Sequence, residues 1–583
     1  MVGKTIDIEV ILNPDSLAKD IAEKWRLWNQ QRQPKMEEWK ELRNYLFATD
    51  TRTTSNSALP WKNSTTVPKL TQISDNLHAN YMAALFPQKR WMRWEAEDRE
   101  SNTTKKRKVI QSYMENKLRL SSFEVTTSSL VRDFIQYGNC FATVDYENNS
   151  TQMEDTGEII TGYVGPKLIR ISPFDIVFNP AAVDFVNTPK IIRSIQTLGD
   201  LKKMMEENPE NDHYQKVFDK MMGSRQAVTG YSDSDFYKND GYMVDGFGTL
   251  RQYYESDYVE ILTFYGDIYD RTENKLHKNR IITVVDRSLV LKNVPNPSWL
   301  GKSATFHAGW RERPDNLYAM GPLDNLVGMQ YRIDHLENLK ADVFDQIAFP
   351  ILKIKGDVED FDFQPGSRIY LGDEGDVGYL VPDATALNAD NQILNIMNTM
   401  EEMAGAPKQA MGIRTPGEKT AFEVNQLQNA ASRIFQNKTQ HFEKVFIEPI
   451  LNAMLEAARR NMSYTEVIKT FDQELGVSVF SEITKEDITA NGVIVPVGAR
   501  HFAERAQRLQ NMQQLWMAKA NDPTVGAHLS GKEFARVMSE ELNEPNLYKD
   551  NVMIFEQMET QRVAQEAQIE MQAQQQSAAE IGI

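Results

Sequence analysis

Apolar residues recur every three or four positions through much of this chain, and the places where the rhythm fails divide it. The most organised stretch runs from Gly321 to Met462. Leu326, Met329, Ile333, Leu336, Val343 and Ile347 keep one face of a helix apolar until Pro350 stops it. Ile393, Met397, Met400 and Met403 mark a second helix, ending at Gly405, where a left-handed residue can cap it. Residues 351–387, between the two, are rich in strand and turn signals. After Gly405 comes APKQAMGIRTPGEKT, in which Pro407, Gly412, Pro416 and Gly417 break regular structure. A third helix opens at Thr420 with Glu423 as a capping box and runs to about Met462. At roughly 40 residues and ~1.5 Å each it would span ~60 Å. Pro449 lacks the amide that would bond Val445, so a bend is expected there.

Upstream, Asp15 to Leu46 predicts an amphipathic helix or helix pair anchored by Trp25, Trp28, Trp39 and Leu46 and broken near Pro34. A polar loop follows from Thr49 to Thr66. Leu70, Ile73, Leu77, Tyr81 and Leu85 then give a helix up to Pro87, and Trp91 and Trp94 flank a short extended piece. Lys105 to Tyr137 predicts two helices. Phe141–Tyr146 and Glu158–Ile171 predict a hairpin, and SPFDIVFNP a short strand fenced by prolines. Ile191–Asn208 and Asp212–Met222 read as helices, and Gly223–Thr249 as a long loop. Tyr258–Tyr265 and Arg280–Val290 read as antiparallel strands, with Trp299–Tyr318 a connecting loop. Beyond the long helix, Ser463 with Glu466 would cap a short helix. Val477–Ile483 and Ile488–Val497 would add strands completing the sheet begun before residue 300. From Arg500 the pattern is helical, and beyond Gln561 it becomes Ala/Gln/Glu-rich, as in a peripheral helix or tail. The fold class is α+β, mainly helical.

Length and charge narrow the options. A chain of 583 residues should hold several folding units. With 65 Lys and Arg against 82 Asp and Glu, the net charge of −17 argues against a conventional nucleic-acid binder, although KKRK at 105–108 could form a basic patch on an otherwise solvated face. The single cysteine, Cys140, reads as a small buried hydrophobe and suits a reducing compartment. No secretory leader or membrane-length apolar run is apparent, so synthesis in the cytoplasm is expected.

Catalytic motifs fail one by one. GIRTPGEKT has glycines five apart, but Glu418 intrudes before Lys419 and the segment follows a helix instead of a strand. At LGKS, residues 300–303, the upstream glycine of a phosphate loop is Asn296. The histidines show no metal-binding spacing, and His78 is expected to pack or cap. Asp373, Glu374 and Asp376 could bind magnesium but read first as an exposed turn. No cofactor, metal site or enzyme activity is expected.

The order helix, insert, helix, breaker-rich loop and proline-kinked long helix resembles the portal proteins of tailed bacteriophages, particularly the head-to-tail connectors of short-tailed phages. LENLKADVFDQIAFP is similar to the first stem helix, residues 351–383 to the clip, ILNIMNTMEEMAG to the second stem helix, and APKQAMGIRTPGEKT to the tunnel loop running into GEKTAFE. TVPKLTQISDNLHANYMAALFP and SPFDIVFNP match more loosely. The resemblance implies a wing over 1–320, stem helices at 321–349 and 388–405, a clip at 350–387 and a tunnel loop at 406–419. The long helix and remaining wing strands would fill 420–499, and a helical crown and tail 500–583.

It further implies a structural virion protein made in the host cytoplasm, forming a ring of usually about twelve subunits at one capsid vertex. Double-stranded DNA would pass through during packaging, retention and ejection. Partners would be the major capsid and scaffold proteins, a terminase motor and tail adaptors, with no membrane. Lys408, Gln409, Met411, Arg414 and Lys419 would face DNA from the loop, with Lys340 on the stem. Lys353, Lys355, Asp373 and Glu374 would form the docking surface of the clip. A sparse set of cations in an acidic channel suits a conduit, because each phosphate contact steepens binding by a salt slope of about −0.9. Competing readings are another ring-forming virion adaptor or scaffold without a DNA channel, and a nuclease or nucleotide-dependent motor.

Overall fold

The computed structural model describes residues 8–496 apart from 10–13, 60–61, 87–90, 99–103, 153–158, 183, 207–211, 228–257, 271–273, 357–367, 369, 373–374, 381–383, 405–434, 463–464 and 473–476. Beyond 496 it describes 512, 515–517, 534–535 and 537–538. Two compact units result, one of residues 1–466 with 483–499 and one of 467–482 with 500–583.

The first unit begins with β1 (Ile8–Glu9) and α1 (Pro14–Leu46). Pro34 does not break α1. Pro34 and Gln30 are both exposed, so the carbonyl left without its amide faces water. Anchors on both sides hold the helix straight through: Trp25 and Trp28 sit in one core, Met36 and Trp39 in another. A proline in a helix interior costs about 3 kcal/mol; burying Trp25 and Trp39, 1% and 0% exposed, offsets that.

Next come α2 (Lys69–Leu85), β2 (Met92–Ala96), α3 (Thr104–Leu120) and α4 (Phe123–Gln136), as the apolar spacing predicts. β3 (Asn139–Gln152) and β4 (Ile159–Ile171) form the expected hairpin, and β5 (Ile176–Phe178) the proline-fenced strand. Arg32 of α1 fastens the turn before β5, donating to the carbonyls of Pro173, Phe174 and Ile176 at 2.7, 2.9 and 2.5 Å.

Residues 191–197, expected to be helical, belong instead to strand β6 (Lys190–Thr197). It pairs antiparallel with β5 on one side and β7 (Tyr258–Asp270) on the other. Ile191 and Ile192 enter different cores, so burial on both faces erased the alternation that marks a strand. Two short helices, α5 (Leu198–Glu206) and α6 (Asp212–Ala227), separate β6 from β7.

The run 280–290 is also not one strand. β8 (Lys275–Val285) and β9 (Leu289–Pro295) are joined by a turn in which Asp286 and Arg287 both have positive φ, 49° and 56°. Arg287 holds that turn by a buried two-point ion pair to Glu260, at 2.7 and 2.8 Å. The sheet order is β5-β6-β7-β8-β9, with β1 parallel beside β7. Alternate residues of β7 serve its two faces: Leu262 and Phe264 meet the tryptophans of α1, Val259 and Ile261 meet α5 and α6.

The stretch 299–318 is a strand region rather than a loop. β10 (Thr305–Gly309) pairs with β3, while β11 (Arg311–Arg313) and β12 (Asn316–Met320) pair with each other. These strands are short and of mixed polarity, and β10 is completed by its neighbour. Gly138, at φ +67°, precedes β3 and lies against Gly321. A Cβ there would meet Gly321 N at 2.3 Å. Gly138→Ala should therefore lose about 3 kcal/mol, combining left-handed strain with a backbone clash; thermal unfolding would measure it.

α7 (Val327–Ala348) follows a 3-10 turn at Asp324–Leu326. β13 (Ile351–Lys355), β14 (Asp376–Leu380) and α8 (Asp390–Ala404) come next. Residues 435–442 are helical and lead through a π turn (Glu443–Ile447) into α9 (Glu448–Asn461). α9 packs on β3 and β4 with Ile450, Leu451, Met454 and Leu455 buried.

Beyond it, Glu466 begins strand β15 (Glu466–Asp472) and not a capped helix; the β-branched Val467, Ile468 and Thr470 suit its pairing with β16 (Val477–Ile483). After α10 (Lys485–Ile488), β17 (Gly492–Pro496) returns to pair with β2, not with the large sheet. The central stretch 321–462 lies within the first unit, and it is residues 467–482 that depart from it before the chain returns at 483. The described residues of the second unit include β15, β16 and a stacked pair of rings, Trp516 on Phe534 at 4.7 Å.

Candidate functional site

α7 carries a polar ladder that its apolar stripe conceals. Gln330, Asp334, Asn338 and Asp342 recur at four-residue steps and therefore share one face. They satisfy the backbone of the strap 62–70, which has no sheet partner there. Asp342 accepts from the amides of Lys62 and Asn63 at 3.0 and 2.9 Å. Asn338 pairs twice with Thr65, at 2.8 and 2.7 Å. Asp334 accepts from Val67 N at 3.0 Å and Thr66 Oγ1 at 3.1 Å, and Gln330 completes the series to Leu70 N. Burial raises the Asp334 carboxyl above its ordinary range, while these donors oppose the shift. α7 is thereby fastened to the strap from Gln330 to Asp342.

Its other end is open. Leu339, Phe344 and Phe349 are exposed, Phe349 by 83%. The expected strand-and-turn insert contains the pair β13 and β14, in register Ile351↔Leu380, Lys353↔Gly378 and Lys355↔Asp376. Two strands cannot bury their own side chains. Ile351, Ile354, Tyr379 and Leu380 are accordingly exposed, and so are Lys353 and Lys355. Asp373 and Glu374 lie outside the described residues. No group of side chains able to hold a metal ion occurs among the described residues.

Two ion pairs tie α8 back. Lys340 bridges to Asp390 at 2.7 Å and Glu337 at 3.6 Å, and the bond to Asp390 raises its pKa. Lys69, at the start of α2, meets Glu401 at 2.5 Å with both side chains less than a tenth exposed. Of the apolar stripe expected on α8, Ile393 and Met400 are buried, Met397 is half-buried and Met403 is 49% exposed; Leu394, off that stripe, is 56% exposed. Lys408, Gln409, Met411, Arg414 and Lys419, with the capping box at Thr420, lie outside the described residues.

The helix that resumes at 435 is anchored by rings. Phe435 meets Tyr81 at 4.8 Å and Phe442 meets Phe134 at 4.7 Å. A cleft of about 210 Å³ beside it is lined by Trp310, Glu312, Lys438 and His441. His441 sits 3.5 Å from Glu312 and holds that carboxyl below its usual range, and Lys438 Nζ donates to the Trp310 carbonyl. These contacts clamp the helix. Irregularity does occur at Pro449, in the form of the π turn immediately before it, where Glu448 N bonds Glu443 O. Inserting one residue into the turn removes the demand for an amide at 449. Cys140 is buried, as expected, and His78 Nε2 lies 3.0 Å from Ser128 Oγ.

Residues 18–156 match the family model of the bacteriophage head to tail connecting protein. Over that stretch the chain is similar to phage head-to-tail connecting proteins. That family consists of structural virion proteins. No curated protein matches the chain. The matched residues run from α1 past the end of β3, include the loosely similar segment 66–87, and end before α7. They form much of the scaffold to which the strap, α7 and α8 are tied. Among the described residues no helix is long and apolar enough to cross a membrane.

Sequence reasoning missed the ladder on α7 and the Lys69–Glu401 tie. Four polar residues at constant spacing inside an apolar helix were the available signal for the first. The second joins residues 332 positions apart and left none.

Proposed function

We propose that the chain is a phage head-to-tail connector that assembles as a closed ring at one capsid vertex, conducts double-stranded DNA during packaging, retention and ejection, and offers its clip to a packaging motor and then to tail adaptors. One observation carries this reading: Phe344, Phe349, Ile351, Ile354, Leu394 and Met403 are exposed on elements otherwise tied to a rigid frame. Burying a side chain of this size stabilises by about 1.5–3 kcal/mol. Neighbouring copies would cover these groups, since a ring needs two different complementary faces on each subunit.

In that ring α7 and α8 form the stem and β13 with β14 the clip, with Lys353, Lys355, Asp373 and Glu374 at its docking surface. Segment 406–419 faces the DNA through Lys408, Gln409, Met411, Arg414 and Lys419. Lys340, besides tying α7 to α8, is the stem cation nearest this role. Reversing Lys408 and Lys419 together to glutamate should leave rings intact and impair packaging and genome retention. Unchanged packaging would remove the DNA-facing assignment, and loss of rings would move the segment into the subunit interface. A central channel in negative-stain images separates this reading from an adaptor or scaffold without a conduit.

A further inference from the structure

The outward face of α7 carries a pattern that its own chain does not use. Between 325 and 339 the exposed positions are Asn325, Gly328, Arg332 and Leu339, spaced by three, four and seven residues and therefore on one side of the helix. Gly328 weakens that helix, since glycine loses the most conformational freedom on folding. Nothing within the fold demands it: a Cβ at 328 would meet no atom within 4 Å, and its φ is not in the left-handed region. Arg332 makes no ion pair among the described residues, and no acid is among the exposed positions of this face.

α8 offers the complement. Its outward face carries Asn391, Asn395, Asn398 and Glu402 at steps of four, three and four, opposite the buried Ile393 and Met400, with Leu394 beside them at 56% exposure. No Lys or Arg occurs from Asp390 to Ala404. Glu402 makes no ion pair among the described residues, and it stands in the last turn, where the helix dipole disfavours an anion.

Two ties fix the relative heights of these faces. Lys340 meets Asp390 at 2.7 Å, and Lys69 meets Glu401 while its neighbour Leu70 donates to Gln330 at 3.2 Å. The helices therefore run antiparallel, 390 level with 340 and 401 level with 330, and these spans each rise about 15 Å at ~1.5 Å per residue. On that scale Glu402 lies within a turn of Gly328 and Arg332, and Leu394 within a turn of Leu339. Rotation about an axis along the stem changes none of these heights. A neighbouring copy thus brings its α8 face to this α7 face at matching levels.

We propose that Gly328, Arg332 and Leu339 of one copy receive Leu394 and Glu402 of the next, Glu402 pairing with Arg332, Leu394 covering Leu339 and Gly328 leaving room for the close approach. The local faces select that occupant: one chain carries both, at one height, with opposite charges that its own fold leaves unpaired. DNA fits neither, because a single arginine on one face and a glutamate on the other make no basic tract. The contact joins unlike faces, as ring closure requires. It rests on the ring reading above and specifies which sides of the two helices meet.

The only cysteine, Cys140, is 0% exposed, so thiols introduced at the surface can be crosslinked selectively. Full-length Leu339→Cys and Leu394→Cys chains, assembled together under mild oxidation, should give a disulfide-linked dimer whose joined peptides carry positions 339 and 394, and either chain alone should give none. Arg332→Glu and Glu402→Arg should each raise the concentration needed for assembly at least about tenfold in analytical ultracentrifugation, and the double exchange should bring it back. Gly328→Gln guards against misfolding, because it favours the helix of the monomer. It should leave thermal unfolding of the monomer unchanged or higher and still weaken assembly. Rings that form without the mixed crosslink, and with these substitutions neutral, would overturn the contact while leaving the ring reading in place. A wild-type chain that stays monomeric at all concentrations would overturn both.

Discussion

Glu401→Leu should destabilise the protein by about 3–5 kcal/mol, because it strands the Lys69 ammonium in the interior. Lys69 stands at the start of α2 and Glu401 near the end of α8, so each charge faces the unfavourable end of its helix dipole. Neither helix end would hold its charge well without the other. Lys69 Nζ keeps a bond to Gln72 Oε1 at 2.9 Å, which satisfies one donor but not the charge. Adding Lys69→Met to Glu401→Leu should restore most of the loss, since a buried pair exchanged for apolar groups is often near neutral. Urea unfolding of the two single variants and the double variant would give the coupling. A double variant as unstable as Glu401→Leu alone would show that the cost arises elsewhere, for example from packing at the end of α8. Because α8 leads into 406–419, the single variant should also speed proteolysis after residue 404.

The helices of this fold were largely legible where one face alone is buried. α2 follows its five apolar positions, and α3, α4, α7 and α8 begin or end within a few residues of their breakers. Strands were legible when they alternate and obscure when they do not. β6 is buried on both faces and reads as a helix, while β10 is too short and polar to stand out until β3 supplies its partner. Pro34 misled for a different reason: local propensity argued for a break, and two tryptophan-rich cores overrode it. At Pro449 the missing amide was recognised and its remedy was not, since a π turn depends on tertiary packing around Phe442 and Phe446, whose buried rings meet at 5.1 Å. In the candidate site the apolar stripes were visible and their ties were not. Lys340 illustrates this: its sequence context shows a cation on a stem helix, and only the fold shows Asp390 beside it.

Lys190→Met should stabilise the protein by about 2 kcal/mol near neutral pH, and the gain should disappear by about pH 8.5 and reverse as pH rises toward 10.5. Lys190 is 1% exposed, donates to the carbonyls of Phe185 and Val186 at 2.8 and 3.4 Å and stands 4.1 Å over the Phe185 ring. Burial drives its pKa down to about 7, only partly opposed by Asp184. The unfolded chain binds that proton up to about pH 10.5, so native stability rises with pH between 7 and 10.5 and carries the full penalty below 7. The gross penalty, about 5 kcal/mol for 3.5 units at ~1.36 kcal/mol each, exceeds the expected gain because methionine leaves two carbonyls without a donor.

His307 adds an acid limb to the same core. It stacks on Phe141 at 4.7 Å, lies 3.0 Å from Asn139 Oδ1, and is held down to about 4 first by burial and then by the charges of Lys190 and His441, against Glu312. A depressed native pKa means stability present above about 6.5 and lost as pH falls toward 4, roughly 3 kcal/mol over that window. The two groups are coupled through charge, and this separates them experimentally. Removing the Lys190 cation relieves part of the pressure on His307, so Lys190→Met should also shrink the acid-side loss and move it to higher pH. Urea midpoints from pH 4 to 10 for Lys190→Met, His307→Phe and the wild type would show it. Parallel acid limbs in the wild type and Lys190→Met would mean that His307 is held neutral by burial alone.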